Sequence, residues 1–314
     1  MSKINKKKVL SILILIVLAA FFFYYIYTHI SDFKQLKIAN PILLLVLALI
    51  NLIFTFNNGL ITKFLLQPFK IDLKFKEWFG LASITSFYNL ITPFKGGAIT
   101  RAVYLKTKHN FSYSLFLATL SGSYVIIILT ACTAGLISTF LIYSVYGTFS
   151  WIITLFLIAL LLPLLVIVIF SPKVKDTKYP LVNKFINVIN GWHSIKSNKK
   201  VIFSYFFLSL FNLVLGTFGS IVTYKVLGIH LNLAQALFMT SVGSLSVLVS
   251  ITPGGLGINE AIAVLLASLV GITPAQSLAA SIIGRAVGII VIFILGPIFS
   301  YLLMKNTLDA KSKK

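Results

Sequence analysis

The chain has 314 residues, 58% hydrophobic and only 11% charged, with a formal net charge of +21 and a mean hydropathy of +1.00. That composition excludes a soluble domain and indicates a membrane protein with several spans. The basic residues flank apolar runs, so they read as inside loops and not as a nucleic-acid surface.

The first apolar run, 9–27, follows Lys3, Lys6, Lys7 and Lys8 and ends in aromatics instead of a small-residue cleavage site. It is expected to be a retained span with the N-terminus inside. The weakly charged 28–40 loop is followed by a second span, 41–62. Lys63, Lys70, Lys74 and Lys76 put the next loop inside, and so do Lys95, Arg101, Lys106 and Lys108 for the one after. The segment between them, 78–106, is interrupted at ITPFKGG and must enter and leave on one face, as a re-entrant hairpin. The run 111–146 would be about 54 Å long as one helix, so it must tilt, protrude or break near Gly135.

An uncharged outside turn at 147–150 leads to a span at 151–171, and the lysine-rich 172–200 loop lies inside. A span at 201–224 ends at an outside turn, and 233–270 is again broken, at ITPGGLG. A last helix, 275–303, returns inside to a basic tail. The fold class is therefore all-α and polytopic, with about six full spans and two Pro/Gly-broken hairpins. The two halves, 1–146 and 147–314, each have two spans, a hairpin and a longer helix, and they start on opposite faces. That is the pattern of an inverted repeat, in which the paired breaks mark a site near the bilayer midplane.

Chemistry-bearing residues are few. The six acidic residues are Asp32, Asp72, Glu77, Asp176, Asp309 and Glu260, and only Glu260 lies in an apolar stretch. An ionisable residue at membrane depth costs roughly 2.5–3.5 kcal/mol or more, so it is expected to have a partner and a function. Arg285, about ten residues into the last helix, is the natural partner; a structural salt bridge and a substrate- or proton-switched pair both fit. Pro93, Gly96, Gly97, Pro253, Gly254, Gly255 and Gly257 form the breaks, by stopping helices and permitting positive φ. Helix starts after such breaks offer N–H groups to an anion.

Lys95 within the first break and Arg101 a few residues after it could converge with Glu260 if the hairpin tips meet, either as phosphate ligands or as interfacial cations. Asn89, Ser250 and Asn259, and less directly Asn57 and Asn58, could satisfy broken backbone. The one cysteine, Cys132, and four scattered histidines give no disulfide and no metal-ligand spacing. No nucleophile–base set and no nucleotide-binding loop occurs, so neither a catalytic residue nor a cofactor is expected.

Pro93, Gly96, Gly97, Arg101 and Leu105, then Pro253-Gly254-Gly255-Leu256-Gly257-Ile258-Asn259-Glu260, Gly271-Ile272 and Arg285, resemble the lysylphosphatidylglycerol synthase transmembrane region family of flippase-like membrane proteins. The resemblance runs over most of the chain. Two departures stand out: Ala98 and Ile99 where the family often has an acidic residue, and Ser123 and Tyr124 where it often has a Glu-Arg pair. The resemblance implies lipid translocation. No aminoacyltransferase domain follows before Lys314, so the transferase activity of fused members is not expected here.

The expected function is a lipid flippase of the plasma membrane, with both termini cytoplasmic, acting on a lipid with a phosphate-bearing headgroup. The rivals are a membrane-bound lipid-headgroup transferase and a non-transporting subunit of a lipid synthase. A synthase partner and a homo-oligomer both stay open.

Overall fold

The computed structural model describes residues 37–147, 150–170, 174–175, 198–249 and 251–312, with scattered residues before 37 and between 177 and 196. Except for Tyr24 and Tyr27, the expected first span lies outside these residues, as does about half of the 172–200 loop. The described chain is all-helical and, with five helices long and apolar enough to cross a membrane, is that of a polytopic membrane protein.

In chain order the helices are α1 (Ile42–Leu66), α2 (Phe75–Ile91), α3 (Gly96–His109), α4 (Tyr113–Tyr146), α5 (Trp151–Phe170), α6 (Lys199–Val226), α7 (Leu233–Ser244), α8 (Ile258–Ser268) and α9 (Pro274–Ser312). Short 3₁₀ turns follow α1 and α7, and a third, Pro253–Gly255, lies in the second break. The two interrupted segments are helix–break–helix units, α2/α3 and α7/α8, and in each unit the two helices pack on one another.

The 111–146 run does not break at Gly135. It forms one helix of 34 residues, about 51 Å long. Its burial explains its length: about 56% of its most apolar window is enclosed by protein, against 22% or less for the other long helices. Ser112 caps its start by accepting the Leu115 N–H, and Gly147 ends it with φ +65°.

Packing follows the small residues. A methyl group on Gly59 would meet the Trp78 ring, one on Gly80 the Phe299 ring, and one on Gly296 the Phe87 side chain. α1, α2 and α9 therefore approach closely, as helices in lipid do when small residues face one another. One core cluster runs between α4, α5, α6 and α7 through Val125, Cys132, Leu157, Ala236 and Phe238. A second gathers Trp78, Phe79, Leu105, Phe116 and Leu303 around α2 and α3.

Polar bonds add register within this apolar frame. Asn57 on α1 donates to the Leu208 carbonyl and to Asn212 Oδ1 on α6, and Asn212 donates to Asn58. Asn57 and Asn58 thus clamp α1 to α6, where the sequence suggested a role at the broken backbone.

Candidate functional site

The two breaks are built differently. At the first, Thr92 is extended ahead of Pro93, and Phe94 and Lys95 both take left-handed backbone, with φ 56° and 57°. Two consecutive non-glycine residues there carry strain that the surroundings must hold. The hold comes from the other break: the Phe94 N–H donates to the Ile251 carbonyl at 3.2 Å, and Lys95 Nζ donates to the Val247 carbonyl at 2.6 Å and to Tyr124 Oη at 3.1 Å. The tips of the two broken units meet.

Gly96 and Gly97 do not supply the turn, as the sequence suggested. They are the first residues of α3, and neither has positive φ. They are small because the chain is crowded: a Cβ on Gly97 would fall onto the Thr85 carbonyl and one on Gly96 onto the Thr92 hydroxyl. Asn89 accepts the Gly97 N–H at 2.9 Å, so it satisfies broken backbone as expected.

At the second break Gly254, Gly255 and Gly257 do adopt positive φ, between 56° and 79°, which glycine takes at no steric cost. The Gly257 N–H, at the start of α8, donates to Glu260 Oε2 at 2.7 Å. The other carboxylate oxygen, Oε1, takes both Nε and Nη2 of Arg285 at 2.5 Å. Arg285 Nη1 reaches the Gly254 carbonyl at 3.1 Å, and Asn259 Nδ2 lies 3.4 Å from the same oxygen. One arginine therefore neutralises the buried carboxylate and also satisfies a carbonyl that the break frees, which lipid could not do. Ser250 lies outside the described residues.

This pair lines a cavity of about 620 Å³ among α1, α2, α6, α7, α8 and α9. Its other polar walls are neutral, including Asn51, Asn89, Ser220, Thr223 and Ser281. Glu260 and Arg285 are the only formally charged residues in the described lining. Phe54, Ile289 and Ile292 make part of the wall apolar. Apart from Arg285, the walls on α6 and α9 are not among the residues the sequence singles out. Gly216, Gly219, Ser220 and Thr223 recur at steps of one, three and four, as do Ser281, Gly284, Arg285 and Gly288. Such a stripe of small and polar residues in an apolar helix was the available signal.

The structure does not bring Lys95 and Arg101 into this cavity. Lys95 serves the junction of the tips. Arg101 lies between α1, α3 and α4, with Nη1 donating to Thr62 Oγ1 at 3.1 Å and its guanidinium 5.3 Å from the Phe116 ring centre. Its cleft shares no lining residue with the larger cavity.

A second buried carboxylate also went unrecognised, because Glu77 stands in a polar segment of the sequence. Glu77 Oε1 accepts from Tyr104 Oη at 2.9 Å and pairs with Lys108 at 2.9 Å and His109 at 3.3 Å, while Oε2 accepts the Lys74 N–H. It ties the start of α2 to the end of α3. Burial by itself would raise its pKa. The bonds from Lys108, Lys74 and Tyr104 outweigh burial and hold the carboxyl below its ordinary range. Among the described residues no cluster of His, Cys, Asp and Glu could hold a metal ion.

The family model described as the lysylphosphatidylglycerol synthase TM region matches residues 8–296, nearly the whole chain. No curated protein and no solved structure matches it. The chain belongs to the lysylphosphatidylglycerol synthase transmembrane region family.

Proposed function

We propose that this protein moves a phosphate-bearing lipid headgroup across the plasma membrane, and that the cavity around Glu260 and Arg285 is its binding site. One observation carries the reading: a buried, mutually neutralising ion pair lines a polar-and-apolar cavity at a break in the helical frame. Buried pairs are poor stability devices, while intramembrane ionisable residues at broken helices mark substrate pathways. The family supports a role in handling lipids or their headgroups.

A volume of about 620 Å³ falls within the usual range for ligand pockets. It suits a headgroup whose acyl chains stay in the bilayer, past Phe54, Ile289 and Ile292. A substrate phosphate entering the cavity competes with Glu260 for the Arg285 guanidinium, whose planar fork suits phosphate oxygens. Glu260 then needs a positive partner, which a headgroup ammonium or a proton supplies. The site carries out exchange of ion pairs and makes no covalent bond.

Two halves of opposite orientation, with both termini cytoplasmic, would let the same cavity open first to one leaflet and then to the other. The packing supports this: α1 lies along α6; α1 packs on α2 as α6 packs on α7; and α9 packs on α2 and α1 as α4 packs on α7 and α6.

The test is headgroup translocation in proteoliposomes, with labelled lysylphosphatidylglycerol, phosphatidylglycerol and a polyprenyl-phosphate sugar supplied separately. The expected result is accelerated movement of at least one lipid by the wild-type protein and its loss in Glu260→Gln. Unchanged movement in the variant removes Glu260 from the mechanism, and movement of none of the lipids by either protein defeats transport of this substrate class.

A further inference from the structure

We propose that Arg101 holds a small anion at a second site, separate from the Glu260 cavity and independent of the transport reading. Arg101 remains charged at any accessible pH. Its Nε is fully buried and has no hydrogen-bond partner. Its Nη1 donates to the Thr62 hydroxyl. Among the described residues, both buried carboxylates are engaged elsewhere: Glu77 with Lys108 and His109, Glu260 with Arg285. Arg101 as a whole is only partly exposed, and an unpaired charge in a largely apolar surrounding is less favourable than a paired one. The Phe116 ring offsets only part of this, since a cation–π contact is weaker than a hydrogen-bonded ion pair.

Beside the guanidinium is a cleft of about 20 Å³, lined by Thr62, Thr119 and Ser123 among apolar residues. It has room for about one water-sized occupant. That size admits a halide ion or a single oxygen of a lipid phosphate reaching in from the edge, and excludes a whole headgroup. Both occupants share one chemistry: a negative, hydrogen-bond-accepting atom against the Arg101 guanidinium.

Thermal unfolding of purified full-length protein tests the site. In lipid-free detergent, chloride replaces gluconate at constant ionic strength, up to about 0.3 M. A second series holds chloride out and adds phosphatidylglycerol, with phosphatidylcholine as the neutral control. The wild type is expected to gain about 2–4 °C in Tm from whichever anion fits. A gain with chloride identifies a dissolved ion, and a gain with phosphatidylglycerol alone identifies a lipid phosphate. Arg101→Met, which removes the charge and keeps the volume, is expected to lose the gain.

Thr62→Val keeps the charge and removes its protein acceptor, so the gain should grow; this variant guards against a poorly folding Arg101→Met. A wild type indifferent to both anions, or a gain of equal size in Arg101→Met, overturns the proposal and leaves the Glu260 cavity untouched.

Discussion

Glu260→Gln keeps an acceptor for the Gly257 N–H but leaves the Arg285 guanidinium without a counter-charge. Breaking a buried pair in this way costs roughly 3–5 kcal/mol where no water reaches; here the cavity beside the pair lowers that cost. Glu260→Gln combined with Arg285→Met removes both charges. Its melting temperature is expected to lie above that of Glu260→Gln while translocation stays absent, which separates folding from transport. Glu77 behaves differently, because its partners lie at the base of a helical unit and not in a cavity. Its folded-state pKa is lowered. The stability it contributes is therefore present above the ordinary carboxylate range and lost as pH falls through its folded value. Below about pH 4 the melting temperature should drop more steeply for wild type than for Glu77→Gln. Parallel curves would show that the cluster contributes nothing to acid sensitivity.

At the scale of elements, two similar sequence breaks use different backbone solutions. The ITPGGLG break relies on glycines with positive φ, whereas the ITPFKGG break puts Phe94 and Lys95 in that region and spends its glycines on close helix contact. The long α4 stays whole because other helices enclose it, not because its sequence avoids glycine. α9 is set against α2 by Gly296, whose missing side chain admits the Phe87 ring. Gly296→Val should push the two helices apart and destabilise the protein by about 1–3 kcal/mol, the usual cost of overpacking. A thermal melt in detergent checks it; an unchanged midpoint would mean that α9 slides freely on α2.

For the whole molecule, the two broken units face one another and join at their tips through Phe94–Ile251 and Lys95–Val247. Alternating exposure of the cavity to two leaflets requires some such junction to open. Phe94→Cys and Ile251→Cys in a Cys132→Ala background can be joined by a short bifunctional thiol reagent. Joining them is expected to abolish translocation, and reduction of a cleavable linker to restore it. Full transport with the tips joined would place the moving part elsewhere, in α1 and α6 or in α9.

Much of this protein was written in the order of its residues. Among the described residues, hydrophobic run length gave the spans to within a few residues, because lipid forces every backbone group in a span to pair within its own helix; α9 alone runs on well past its apolar run, to Ser312. The isolation of Glu260 in an apolar stretch, with Arg285 at a fitting depth, pointed to their contact, since no other charge lay near either one in that apolar region. Three-dimensional packing decided what spacing could not. It removed Arg101 and Lys95 from the cavity, because a helix that rotates or ends a residue later aims a long cation at a different neighbour. It gave Asn57 and Asn58 to the α1–α6 contact, since an amide bonds whichever polar group packing brings close. It buried Glu77, whose partners Lys108 and His109 stand some thirty residues along the chain and become neighbours only when α3 folds back onto α2.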